Sequence, residues 1–190
     1  MKIRSQIESI PNNNGGGFFL KNNQDELMIK DVISIVRPQK ILEIGFNAGN
    51  SSFLWLENSE ASVVSVEKND NDSVQKAANL LTKEFNSRFK LIISDSQEVY
   101  NQIKNIQFDI VFIDGDHTED GVRKDILLAE KLNIPWLFFD DIWDNHDYHP
   151  MLRGPYRAAE SSNYKEFKRY ENRDWCSTQW GNIPCALYKI

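Results

Sequence analysis

The sequence predicts an α/β fold: a doubly wound, mostly parallel sheet with helices on both faces and an antiparallel β-hairpin at one edge, near the C-terminus. Three observations lead there. Five short, continuous apolar runs alternate with amphipathic stretches from residue 40 onward, the pattern of strands buried on both faces and joined by crossover helices. At 190 residues the chain has the size of one domain with one well-filled core. No internal repeat divides it, so residues 25–190 read as a single domain.

Residues 1–24 read as a flexible N-terminal arm or a lid. Asn12 to Asn14 and Gly15 to Gly17 precede a small apolar plug, Phe18-Phe19-Leu20, and a triple glycine has too much backbone freedom to lie inside a helix or strand. A helix follows from about Asp25 to Val36. Met28, Val32, Ile35 and Val36 share one of its faces, Asn23 with Glu26 makes a capping-box pattern, and Pro38 ends it.

The strands come next: Lys40 to Gly45, Ala61 to Glu67, Phe89 to Ser94, Asp109 to Asp114 and Pro135 to Asp140. Between or after them lie helices at Asn50 to Asn58, Asp72 to Phe85, Gln97 to Lys104 and Glu119 to Leu132. The second of these carries Val74, Ala77, Ala78, Leu81 and Phe85 on one face. Successive βα units joined by right-handed crossovers give a doubly wound parallel sheet. The tail differs, with a helix at Tyr156 to Ser162 and two strands, Glu166 to Tyr170 and Ile183 to Ile190, joined by a long polar turn.

Composition narrows the function. Lys+Arg total 22 against 28 Asp+Glu, a net charge of -6, which argues against a nucleic-acid backbone as partner. No apolar run approaches the roughly 18 to 20 residues of a membrane span, and the start Met1-Lys2-Ile3-Arg4-Ser5 lacks a signal-peptide core, so a cytoplasmic protein is expected. Cys176 and Cys185 read as reduced thiols, with a disulfide across the hairpin as the alternative. A small molecule is the expected partner, and a homo-oligomer is left open.

In a doubly wound sheet, ligands bind beyond the carboxyl ends of the strands. Here those ends are acidic. The first closes with Glu43-Ile44-Gly45-Phe46-Asn47-Ala48-Gly49-Asn50-Ser51-Ser52, whose glycines allow a tight turn and whose following helix offers free N–H groups. The second ends at Glu67, 22 residues after Gly45, where an acid can accept hydrogen bonds from two ribose hydroxyls. The third ends at Asp95-Ser96, the fourth at Asp114 and the fifth at Asp140-Asp141. So much negative charge would repel a pyrophosphate and favour a cationic sulfonium, which selects S-adenosylmethionine over NAD.

From about Asp25 to Ile190 the sequence resembles the Rossmann-like S-adenosylmethionine-dependent methyltransferases. Ile41-Leu42-Glu43-Ile44-Gly45-Phe46-Asn47-Ala48-Gly49 looks like the family's first motif, E/D-x-G-x-G-x-G, with Asn47 where the middle glycine usually stands. Phe108-Asp109-Ile110-Val111-Phe112-Ile113-Asp114-Gly115-Asp116-His117 is similar to the FDxxFIDGxH strand of a subgroup that methylates hydroxyls on small molecules, whose sheet ends in a reversed hairpin. Asn133-Ile134-Pro135 replaces the family's usual Gly-Gly pair. The resemblance implies that Gly45, Gly49 and Ser51 surround the methionine part of the cofactor, that Asn47 in the same turn also binds the cofactor, and that Glu43 steadies the motif and the amino group. By the same resemblance Glu67 holds the ribose, Asp95 with Ser96 meets the adenine, and Asp114 borders the cofactor.

Asp114, Asp140 and Asp141 project from neighbouring strand ends, and three converging carboxylates call for a hard divalent cation such as Mg²⁺. The resemblance sharpens this, since Asp114-x-x-His117 with a following acidic pair looks most like the sugar-modifying O-methyltransferases. The alternative for Asp140 and Asp141 is a helix cap and a solvated acid. His117 is the candidate general base, or else a loop histidine capping the next helix. In the loop from Ile142 to Pro150, Trp143 and Tyr148 read as a substrate-facing wall, with zinc on His146 and His149 as an alternative. Arg157 is the candidate for an anionic group on the substrate.

The reading is therefore an S-adenosylmethionine-dependent, Mg²⁺-dependent O-methyltransferase acting on a sugar-like molecule or a vicinal diol. A non-catalytic cofactor-binding or assembly module and a metallophosphoesterase stand as alternatives.

Overall fold

A computed structural model describes residues 2–11, 23–143, 153–171 and 184–190. Among them seven strands form one sheet in the order β3-β2-β1-β4-β5-β7-β6. Strands β1 (Lys40–Ile44), β2 (Ser62–Glu67), β3 (Phe89–Ile93), β4 (Ile110–Ile113) and β5 (Trp136–Phe139) run parallel. Strand β7 (Cys185–Lys189) pairs antiparallel with β5 and with β6 (Lys165–Tyr170). The chain winds outward from β1 to β3, then returns to β4 on the other side of β1. That reversal opens a crevice at the carboxyl ends of β1 and β4, where ligands bind in such sheets.

The expected strand ends agree with the observed ones to within a residue or two, and in β1, β2, β4 and β5 this follows from burial on both faces, which keeps each run almost continuously apolar. Phe112 of β4 faces one core with Trp55 and Phe138; its neighbours Val111 and Ile113 face a second core with Val122, Ile126 and Phe139. Phe112 and Phe138 stack at 5.3 Å, and Trp55 meets both edge-on at 6.2 and 6.1 Å, an arrangement aromatic rings favour.

The first core lies under helices α2 (Asn23–Val36), α3 (Asn50–Asn58) and α4 (Asp72–Phe85), and the second under α5 (Tyr100–Ile103), α6 (Glu119–Lys131) and α7 (Gly154–Glu160). Side-chain caps set two starting points. Asn71 accepts from the Ser73 and Val74 N–H groups to open α4, and Thr118 accepts from Gly121 N–H to open α6 directly after His117. Pro155 at the first turn of α7 starts that helix two residues earlier than expected.

One correction concerns the N-terminus. Lys2–Glu8 forms helix α1, and Ile7 and Ile10 are buried in the first core, so this stretch is anchored rather than loose. Apolar burial and the Arg4 guanidinium, which pairs with Glu26 of α2 and lies 3.7 Å from Glu57 of α3, hold it there. Residues 12–22, with the glycine run and Phe18-Phe19, lie outside the described residues, as does Cys176. Cys185 is buried, and its thiol donates to Asp140. No described helix is long and apolar enough to cross a membrane.

Candidate functional site

A cavity of about 390 Å³ opens at the carboxyl ends of β1 to β5. Its floor is the turn after β1. Gly45 has φ +97°, and a Cβ built there would lie 2.1 Å from the Asp114 carbonyl oxygen, so the two strand ends approach more closely than any side chain permits. Asn47 stands at φ +48°, a left-handed conformation that asparagine tolerates better than most residues. The place of a glycine is thus filled with modest strain, and Asn47 lines the cavity with Gly45 and Ser51. Gly49, at φ +74°, caps α3 behind the turn, against the Phe46 ring, and does not line the cavity.

Glu43 also acts from behind. It is fully buried and pairs in register with Ser65 of β2, so its carboxylate points under α3. There it accepts from Ser51 at 2.6 Å, from Ser65 at 2.5 Å and from Ser52. Burial pushes its pKa up, while the three hydroxyls oppose the shift. Glu43 does not itself line the cavity; it steadies the turn that does. Glu43→Ala is expected to cost about 2 to 4 kcal/mol, because three buried hydroxyls lose their acceptor. A thermal melt checks this, and Glu43→Gln should lose less.

Glu67, at the end of β2, ties the floor in place. One carboxylate oxygen accepts from the Phe46 and Asn47 N–H groups at 3.2 and 3.0 Å, and the other from the backbone and side chain of Asn69 at 2.8 and 3.0 Å. Beyond β3, Asp95 closes its own turn on Gln97 N–H at 2.8 Å, and Ser96 donates to Asp125 Oδ1 at 2.6 Å. All four acids and hydroxyls, Glu67, Asp95, Ser96 and Asp125, border the cavity. Asp125 was missed by sequence reasoning. The available signal was an acid on the apolar face of α6, among Val122, Ile126 and Ala129. Burial raises its pKa to about 7, with Asp116 and Asp95 adding to the shift and Ser96 and Lys68 opposing it.

The ends of β4 and β5 bring Asp114, His117, Asp140 and Asp141 to the same cavity. The imidazole lies between two acids, Nε2 3.4 Å from Asp114 and Nδ1 3.4 Å from Asp141. Burial opposes its charge, but the contact with Asp114 and the charge of Asp141 outweigh it and hold the imidazolium up to about 10. Burial, with the charge of Asp140, raises Asp114. Asp140 accepts from the buried Cys185 thiol at 2.8 Å. The loop is held from outside by α7, since a Cβ on Gly154 would lie 2.2 Å from the His117 carbonyl oxygen. Asp114 and Asp141 thus favour the imidazolium over the free base at His117.

Among the described residues no three acids, histidines or cysteines are gathered as metal ligands. The acids expected to hold a metal do converge on one cavity, yet His117 separates Asp114 from Asp141 and Asp140 faces Cys185. Neither Trp143 nor Arg157, both expected at the substrate, borders this cavity. Trp143 is only 8% exposed and lies off the cavity, because its indole is drawn into the interior where apolar surface is most stable. Arg157 points away to solvent near Glu119 of α6, at 3.9 Å. Tyr148, His146 and His149 lie outside the described residues.

A polar cavity at the reversal of strand order in a doubly wound sheet defines a Rossmann-like ligand-binding domain. Residues 42–142, more than half of the chain, match the family model described as a methyltransferase domain, and the chain belongs to that family. Membership sets aside the metallophosphoesterase alternative.

Solved structures share the fold. The chain is similar to an O-methyltransferase from Bacillus cereus in complex with SAH (TM-score 0.73, 17% identity, 100% of this chain and 91% of that one). It is also similar to the O-methyltransferase TomG from Streptomyces achromogenes, involved in tomaymycin synthesis and solved with SAM (0.78, 15%, 100% and 90%). A SAH-bound methyltransferase from Podospora anserina is a third (0.66, 16%, 99% and 86%). No curated protein sequence matches the chain.

Proposed function

We propose that the chain is an S-adenosylmethionine-dependent O-methyltransferase whose acceptor is a hydroxyl of a small molecule, sugar-like or a vicinal diol. The observation that carries this reading is the ring of acids on one cavity, Glu67 and Asp95 on one side and Asp114, Asp140 and Asp141 on the other. The first pair suits ribose and adenine; the second group suits a sulfonium and an acceptor hydroxyl. Structures of the same fold that hold SAM or SAH support the cofactor. So acidic a cavity disfavours nucleic acid, and a cytoplasmic location belongs to the same reading.

Methyl transfer is an in-line displacement: the sulfur–methyl bond breaks, an oxygen–methyl bond forms, and the hydroxyl proton leaves. The floor held by Glu43 and Glu67 orients the cofactor against the acceptor oxygen. His117 takes the proton once it has lost its own. The oxygen donors of Asp114, Asp140 and Asp141 suit Mg²⁺ in kind, and that ion would lower the pKa of a hydroxyl bound to it. Turnover of catechol-like and sugar acceptors, with and without EDTA, tests both parts. Methyl ether formation that EDTA suppresses and Mg²⁺ restores is expected, with Asp141→Ala impaired. Turnover insensitive to EDTA, with Asp141→Ala unimpaired, contradicts the metal and leaves the methyl transfer standing. No product from any hydroxyl acceptor contradicts the O-methyltransferase.

A further inference from the structure

Asp125 lines the cavity, is 2% exposed, and has no task in the methyl transfer described above. From the second turn of α6 it reaches the loop after β3, where its Oδ1 accepts the Ser96 hydroxyl proton at 2.6 Å. A serine hydroxyl has one proton and two lone pairs. With Asp125 ionised, as it is above about pH 8, that proton is committed to its carboxylate, and Ser96 can offer a ligand only lone pairs, so it acts as a hydrogen-bond acceptor.

We propose that Asp125 is a positioning residue that sets Ser96 as an acceptor and thereby selects a 6-aminopurine over a 6-oxopurine at the nucleobase end of the cofactor site. This rests on the cofactor reading above, which places adenine beside Asp95 and Ser96. An exocyclic amine donates to the Ser96 oxygen. A 6-oxo group in its place sets two acceptors against each other with no proton between them, a mismatch that polar sites reject strongly.

Calorimetric titration with S-adenosylhomocysteine and its deaminated analogue, S-inosylhomocysteine, reads the selection as a ratio of dissociation constants. The wild-type chain is expected to favour the amino compound by about tenfold or more. In Asp125→Asn the carboxamide can donate to Ser96 Oγ, freeing the serine proton for the ligand, and the ratio should fall toward one. Ser96→Ala should lower it as well. If both affinities of Asp125→Asn weaken together and the ratio stays, Asp125 is merely structural and the proposal fails. A wild-type chain that binds both compounds equally also overturns it. Should Asp125→Asn not fold, the Ser96→Ala ratio decides. A wild-type chain that binds neither compound defeats the cofactor reading itself, a result distinct from binding without selection.

Discussion

Gly45→Ala is expected to lower stability by about 4 kcal/mol and to abolish methyl transfer. Two costs add. The residue sits at φ +97°, a backbone conformation that L side chains rarely adopt, and the new methyl would lie 2.1 Å from the Asp114 carbonyl oxygen. Relief requires β1 and β4 to move apart at the crevice, which displaces Asp114 and the floor of the cavity together. In a chain of this length such a loss corresponds to a fall in Tm of about 10 °C. Thermal melts and single-turnover assays measure the two effects; a variant with wild-type Tm and turnover would contradict the close approach.

His117→Gln is expected to lower kcat by about 100-fold or more, the usual worth of a positioned general base. The pH dependence gives the sharper reading. Because Asp114 and Asp141 hold the imidazolium up to about 10, the neutral form that can accept a proton is scarce at pH 7 and accumulates as pH rises. The cofactor's sulfonium and Mg²⁺ on those acids would offset their charge and bring that value down, so wild-type kcat should climb as pH rises through the lowered value, and the climb should be absent in the variant. A variant that keeps both the rate and the slope would show that His117 does not take the proton.

The fold was largely legible because strands buried on both faces leave a continuous apolar run, as Ile110 to Ile113 does, and turn acids mark where each run stops. What sequence could not supply was the direction of side chains and the partners across the sheet. Glu43 belonged to the first motif, yet its alternation with Ile41 and its register with Ser65 send it beneath α3 rather than into the cavity. Helix α1 carries a short, weakly patterned apolar face, and only the packing of Ile7 and Ile10 on the first core makes it a helix. The bond from Ser96 to Asp125 spans 29 residues, beyond any local pattern. Sequence alone reads Trp143 as part of a substrate-facing wall with Tyr148, but its indole is buried, and the N–H of its neighbour Ile142 donates to the Pro184 carbonyl at 2.9 Å.

The central claim is that this acid-ringed crevice holds S-adenosylmethionine. Isothermal titration of the purified chain with S-adenosylmethionine and S-adenosylhomocysteine tests it most directly. Saturable binding of both at one site per chain is the predicted result; a folded chain that releases no heat and shows no thermal stabilisation with either compound would contradict the account.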